Sequence, residues 1–261
     1  MISITNQQDF LGGVRVKTLM VTIQKGGQGK TMLACHLARY AASHGIKTLF
    51  LDLDVQANSS WTLANYASGV SASSFIAGEF SNIPIKNNLA LIAADAELAN
   101  FEEGSIRTIR AKMNLALKRC DKQFDLCVID TPPTLGLPII SAGSLADFAV
   151  APLELEMYSL QGVTALMKIL ENLKEKNPKL EFLGIVPNRF STGKPRLVQN
   201  LKYLEEGFGN LVVPFQIPNR DSIAEALGNQ SSIWDSRKTS ARIAKKSLTS
   251  VCNYLINKMD I

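Results

Sequence analysis

Apolar and polar positions along this chain follow two alternating patterns. Short runs that are apolar on both faces, such as Leu-Cys-Val-Ile at 126–129 and Thr-Leu-Phe-Leu at 48–51, are separated by longer stretches with helical spacing. Strands buried on both faces belong to a parallel sheet covered by helices on either side. The runs predict strands at Thr18–Gln24, Thr48–Asp52, Leu89–Ala93, Leu126–Asp130, Phe148–Pro152 and Phe182–Val186, with a shorter one at Leu211–Val213. Helices are expected over Thr31–Ser43, Ser105–Lys122, Ser159–Lys176 and Arg196–Glu206. The stretch Ala67–Asn88, rich in Ser, Gly, Ala and Asn, is expected to be irregular or short-helical. The fold class is therefore α/β, a mostly parallel twisted sheet with helices on both faces. Ligand chemistry in such a sheet belongs at the carboxyl ends of the strands.

Composition narrows this further. With 261 residues, 46% of them hydrophobic and 20% charged, the chain has enough material for one sizeable domain with a full core. Residues 17–261 are read as that single domain. Residues 1–16 are read as a mobile N-terminal arm, because Met1–Arg15 is polar, glycine-containing and lacks an apolar signal region. No apolar run reaches the roughly 20 residues of a membrane span. The four cysteines, Cys35, Cys120, Cys127 and Cys252, show no C-x-x-C spacing, which suits a reduced cytoplasmic protein without a structural metal. His36 and His44 fall in the first helix and are read as surface or packing residues. The net charge is +5, and residues 236–261 hold an excess of that size: Arg237, Lys238, Arg242, Lys245, Lys246 and Lys258 against Asp260.

The chemistry concentrates in three segments. Lys25-Gly26-Gly27-Gln28-Gly29-Lys30-Thr31 follows the first apolar run and opens a helical stretch beginning at Met32. Strand, glycine loop and helix N-terminus form a phosphate cradle: backbone N–H groups turn toward anionic oxygens and the helix dipole adds positive potential. Lys30 can reach the β- and γ-phosphates, and the Thr31 hydroxyl can ligate Mg²⁺. The ordinary P-loop pattern wants glycine at 24, where this chain has Gln24, and a second lysine, Lys25, stands five residues before Lys30. Read alone, Lys25 is equally a solvated loop lysine. The second segment, Asp52-Leu53-Asp54-Val55-Gln56, places two carboxylates at a strand end, where they can orient a water or hold a metal shell. The third, Asp125 to Pro133, is an apolar strand ending in Asp130, a Walker B arrangement whose carboxylate holds Mg²⁺.

Together these segments resemble the deviant Walker P-loop NTPases of the ParA/MinD superfamily, and among them the ParA-type partition ATPases. The resemblance runs from about Lys17 to Glu225 and includes Thr131-Pro132-Pro133, Ala151-Pro152-Leu153-Glu154 and Tyr158-Ser159-Leu160-Gln161-Gly162. It departs at Val55, where proline is usual. The resemblance implies an ATPase using ATP and Mg²⁺ and acting as a homodimer. Lys25 then reaches across the interface to the partner's nucleotide, Lys30 and Asp54 are catalytic, and Asp54 positions the attacking water. Thr31, Asp52 and Asp130 form the metal site, and the Thr-Pro-Pro segment senses the γ-phosphate. Lys25 through Met32 are expected to contact nucleotide. Asn188 or the loop at Pro218-Asn219 is expected at the base, although either asparagine also suits an ordinary turn.

A DNA surface is the remaining expectation. Lys238, Arg242, Lys245 and Lys246 are read as one face of the last helix, with Arg237 adjoining, while Leu248, Val251, Leu255 and Met259 form an opposite apolar stripe. That stripe suits docking on a core rather than a membrane anchor. Cations in the first helical turns oppose the macrodipole, so a functional reason is sought for them. ParA-type dimers coat DNA without sequence preference, which implies a phosphate-tracking patch, nucleoid association in the cytoplasm and a ParB-like stimulating partner. The family's DNA-contacting arginine falls at Ser222 here, so Arg220 or the terminal patch is expected to replace it. With 24 residues before Lys25, an N-terminal helix-turn-helix domain is not expected. An ATPase that positions a protein cargo is the alternative, since its catalytic core is the same. A small-molecule ligase of the dethiobiotin synthetase type is a weaker third reading, opposed by Lys25 and the Asp-Leu-Asp-x-Gln segment.

Overall fold

A computed structural model describes residues 15–103, 105–133, 136–156 and 159–261. The first strand β1 (Lys17–Val21) leads through the glycine loop into α1 (Lys30–Ser43) and back to β2 (Thr48–Asp52). A short helix α2 (Asn58–Thr62), an edge strand β3 (Ala67–Ser71) and a second short helix α3 (Ala72–Ala77) follow, then β4 (Leu89–Ala93) and α4 (Ile106–Cys120). The remaining units are β5 (Leu126–Asp130), α5 (Leu137–Gly143), β6 (Phe148–Glu154), α6 (Ser159–Lys176) and β7 (Glu181–Asn188). Helices α7 (Pro195–Phe208), α8 (Asp221–Gly228) and α9 (Ala241–Met259) complete the chain. The sheet order is β3-β4-β2-β5-β1-β6-β7, and every ladder in it is parallel.

The doubly apolar strands produce two cores. Successive side chains of a strand face opposite sides. In β1, Met20 enters one core while Leu19 and Val21 enter the other; in β5, Cys127 and Ile129 oppose Leu126 and Val128. Helices α3 to α7 cover the first face, and α1, α8 and α9 cover the second. Leu248, Val251, Leu255 and Met259 of α9 are fully buried, as their spacing predicts. The end of α9 also returns to the first strand: Lys17 Nζ donates to the Met259 and Asp260 carbonyls at 2.5 and 2.6 Å. All four cysteines are free and buried. Among the described residues, no helix is long and apolar enough to cross a membrane.

Three expectations need correction. The stretch Ala67–Asn88 contains a true edge strand, β3, beside its short helix. Leu211–Val213 is not a strand: a 3₁₀ turn occupies Gly209–Leu211 and only an isolated bridge joins Val212 to Ile185. Residues 15 and 16, expected within the arm, are held against the domain. Val16 is buried and its N–H donates to Asp121 at 3.0 Å, while Arg15 pairs with Asp147 at 3.2 Å. Residues 1–14 lie outside the described residues.

His36 is a core residue. Its ring is fully buried in α1, edge-on to Trp234 at 5.9 Å. Burial first, and the Arg39 charge second, push its pKa down from 6.5 to about 3, against a raising contribution from the Ile223 backbone. Between those values the unfolded chain binds a proton that the folded chain refuses. The stability that neutral His36 allows is therefore whole above pH 6.5 and is lost as pH falls toward 3, at about 1.4 kcal/mol per pH unit. His36→Phe should keep the ring contact and lose less stability on acidification than the parent, measured as urea midpoints from neutral to mildly acidic pH. Parallel curves for the two proteins would exclude His36 as the titrating group.

Candidate nucleotide site

The site forms where β1, β2 and β5 end side by side. β1 is hydrogen-bonded between β5 and β6, and Asp52 and Asp130 lie opposite each other in the β2–β5 ladder. Gly29 closes the glycine loop at φ 100°, and a Cβ there would collide with the Asn188 side-chain amide. Both facts require glycine. Helix α1 starts at once, with no side-chain cap and no acidic residue in its first turn. Its leading N–H groups and dipole are thus offered to an anion.

Three side chains meet below the loop. Lys30 is 7% exposed and its Nζ donates to the Ile23 carbonyl at 3.2 Å. Burial lowers its pKa, opposed by the nearby charges of Asp130 and Asp54. Thr31 Oγ1 donates to Asp130 Oδ2 at 2.8 Å, while Asp130 Oδ1 is buried without a partner. Burial and the Asp52 charge raise the Asp130 pKa to about 7, despite the Thr31 hydrogen bond and Lys30. A buried carboxylate with an orphaned oxygen beside a hydroxyl fits a hard divalent cation, which favours oxygen donors.

The Asp52 carboxylate serves the loop above it. Its Oδ1 accepts from the Asp54 N–H at 3.0 Å, and Oδ2 accepts from the Ser60 N–H at 2.9 Å and hydroxyl at 2.7 Å. Burial raises its pKa despite these bonds. Asp54, half-buried, accepts from the Gln56 N–H at 3.0 Å in an Asx turn. Asp52 is thus first a positioning residue for Asp54, a role signalled in sequence only by the serines that open α2. Thr131 Oγ1 donates to the Val21 carbonyl at 2.8 Å, which ties β5 to the start of the loop. Pro132 and Pro133 follow, and residues 134 and 135 lie outside the described residues. Lys25 is exposed, and no hydrogen bond or ion pair among the described residues joins it to this cluster.

A cavity of about 310 Å³ adjoins the N-terminus of α1. Gly29, Met32, Asn188, Pro218, Asn219 and Arg220 line it, so the two asparagines of the sequence analysis face one space. Asn188 is held by its Nδ2, which donates to the Gln28 carbonyl at 2.7 Å, and its Oδ1 is buried without a partner. Gln28 Oε1 in turn accepts from the Glu154 N–H at 3.0 Å. Sequence reasoning missed the α8 wall, Ile223, Ala224 and Leu227; the amphipathic spacing of α8 was its only signal.

The basic terminus is less uniform than its spacing suggests. Lys238 does not lie on the last helix. A turn bonded through Ser236 delays α9 until Ala241, and Lys238 Nζ pairs with Glu225 at 2.6 Å. Lys245 folds back to the Trp234 and Ser236 carbonyls at 2.8 and 2.5 Å. Arg237, Arg242 and Lys246 are exposed and join none of the ion pairs among the described residues. Arg220 is exposed at the cavity mouth, whereas Ser222 is 8% exposed.

Comparisons with known proteins agree with this geometry. A family model described as an AAA domain matches residues 16–182. The chain is 41% identical to the protein IncC of Escherichia coli over 263 residues, covering 98% of this chain and 74% of that protein. It is 30% identical to the chromosome-partitioning ATPase Soj of Thermus thermophilus, covering 81% of this chain and 85% of that one. The ATP complex of McdA(D38A) from Cyanothece superposes with a TM-score of 0.80 at 22% identity, covering 93% of this chain and 97% of that one, a likeness of fold. The phosphate loop on β1, the carboxylates ending β2 and β5 and the all-parallel sheet thus sit in a chain that belongs to this AAA-domain family, among the partition ATPases of the IncC, ParA and Soj type.

Proposed function

We propose that this chain is an ATP-dependent partition ATPase. ATP closes a homodimer, the dimer holds DNA without sequence preference, and a ParB-like partner stimulates hydrolysis and release, segregating plasmid or chromosomal DNA. The observation that carries the reading is the cluster of buried Lys30 and Asp130 with half-buried Thr31 under an uncapped helix N-terminus, with Asp54 in electrostatic reach of Lys30. A triphosphate laid along residues 25–31 accepts hydrogen bonds from the α1 N–H groups. Its base points to the cavity between Met32, Asn188 and Pro218. Lys30 exchanges the Ile23 carbonyl for phosphate oxygens. Thr31 and Asp130 would hold Mg²⁺, with Asp52 behind them, and the ion would neutralise phosphate charge as the bond to ADP breaks. Asp54, fixed by Asp52, orients the water that takes the phosphoryl group. Lys25 serves the partner's nucleotide, which accounts for its exposure in a single chain. DNA phosphates meet Arg237, Arg242 and Lys246, with Arg220 alongside, which places the protein on the nucleoid in the cytoplasm; Lys238 and Lys245 shape the turn that carries them.

Three measurements test this. Lys30→Ala should abolish ATP binding in isothermal titration with Mg²⁺, and unchanged affinity would remove the phosphate-loop assignment. Asp54→Ala should bind ATP and accumulate as a dimer in light scattering, while Lys25→Gln should bind ATP and remain a monomer. The same oligomeric state for both variants would contradict the role of Lys25. Arg242→Ala with Lys246→Ala should weaken ATP-dependent binding to every duplex alike and flatten the log–log salt dependence by about two. ATP binding without any ATP-induced gain in DNA affinity would instead favour the cargo-positioning alternative.

A further inference from the structure

The strand N-termini, at the sheet edge opposite the phosphate loop, carry a second concentration of positive charge. Helix α4 contains Arg107, Arg110, Lys112, Lys118 and Arg119 and no acidic residue in its 15 positions. No acid occupies its first turn, so Arg107 and Arg110 add their charge to the positive end of the helix dipole. These two arginines, with Ala111 and Asn114 at helical spacing, form one wall of a cavity of about 440 Å³. The other walls come from the residues leading into β1, β6 and β7: Arg15, Asp147 and Lys179. Asp147 is the one carboxylate among the lining residues, and it is already engaged by Arg15 and by the Thr18 N–H. Arg107, Arg110 and Lys179 are exposed and join none of the ion pairs among the described residues. Like charges gathered without a counter-ion repel, and a concave wall focuses their field.

We propose that this surface, centred on Arg107, Arg110 and Lys179, is a polyanion site that holds the phosphate backbone of a nucleic acid and does so without bound nucleotide. The charge does not stop at the cavity. It continues to Lys118, one turn beyond Asn114 on the same face of α4, so that cations on this face span roughly 17 Å of the helix axis. An extended ligand with one charge per roughly 1.7 Å matches such a stripe better than a small anion does. The apolar lining is confined to Ala111, Leu145 and Ala146, with no aromatic residue of the kind that commonly anchors a peptide. Arginine forks suit phosphate oxygens. None of the cavity's lining residues borders the nucleotide cavity or belongs to the phosphate loop, so the surface is complete in one chain before ATP arrives.

The test is fluorescence anisotropy of a short labelled duplex of arbitrary sequence with the full chain, first without ATP and then with it. Without ATP the chain should bind the duplex weakly, with an affinity that falls steeply with salt. Arg107→Ala with Arg110→Ala should weaken this binding about tenfold and flatten the log–log salt slope by about two. Lys179→Glu, on a different element, should weaken it too, which guards against a folding defect confined to α4. No duplex binding by the nucleotide-free parent would overturn the proposal, as would unchanged affinity in all variants. Binding of a poly-glutamate peptide in place of the duplex would overturn it in favour of an acidic protein partner. The ATP-induced increment is read separately: its absence tells against the partition reading alone, since nucleotide-free binding depends only on the α4 surface.

Discussion

Lys30 and Asp130 are withdrawn from water together, and the carboxyl end of the sheet is organised around that burial. An ion moved from water into a protein interior loses several kcal/mol of solvation unless it is paired. Neither residue reaches an ordinary ion pair here. The lysine leans on a backbone carbonyl and the aspartate on a hydroxyl, and burial moves both pKa values toward the neutral forms. The strain lies where the proposed triphosphate and metal would relieve it. The rest of the fold keeps the two groups in place: β1 and β5 are adjacent central strands, and Thr131 ties the end of one to the end of the other.

Around that centre the polar contacts form two supporting lines. One runs from Asp52 to the Asp54 turn and to Ser60, so that a single buried carboxylate sets the position of a second, more exposed one. The other runs from the Glu154 N–H through Gln28 to Asn188, binding β6 and β7 to the glycine loop. Through Asn188, the phosphate side and the cavity proposed for the base share one side chain. An uncapped helix N-terminus with a pre-shaped loop spends little ordering entropy when an anion arrives.

Much of this is legible in the residues. β2, β4 and β5 begin and end where their runs do, because the interior of a central strand buried on both faces is apolar and polar residues such as Thr48, Asp52 and Asp130 fall at its ends. β3 escaped because Ala-Ser-Gly-Val-Ser, an edge strand paired only with β4, has no such constraint. The loop, Asp54 and Asp130 were recognisable as motifs, whereas the work of Asp52 depends on Ser60, eight residues away and across a turn. Charge misled in an instructive way. Summed over residues 1–235 it vanishes, which hides a helix with five cations. Electrostatics is read by a partner within about a Debye length of 8–10 Å, not over a chain. In the terminal segment, two of the lysines counted as free are spent on Glu225 and on backbone carbonyls.

The sheet order has a temporal consequence. β1 is made early, yet its two neighbours, β5 and β6, follow more than a hundred residues later, and Lys17 finds its carbonyl partners 242 residues away at the end of α9. While the chain emerges from the ribosome, β2 and β4 can already pair, but the strand carrying the phosphate loop has no ladder to join. Its run Leu-Met-Val-Thr-Ile is left uncovered in the meantime, an aggregation hazard of parallel topologies built from distant contacts. The proposed nucleotide site is therefore among the last parts of the molecule to be assembled, and a nascent chain stalled before β5 would display the motif without the strand that completes it.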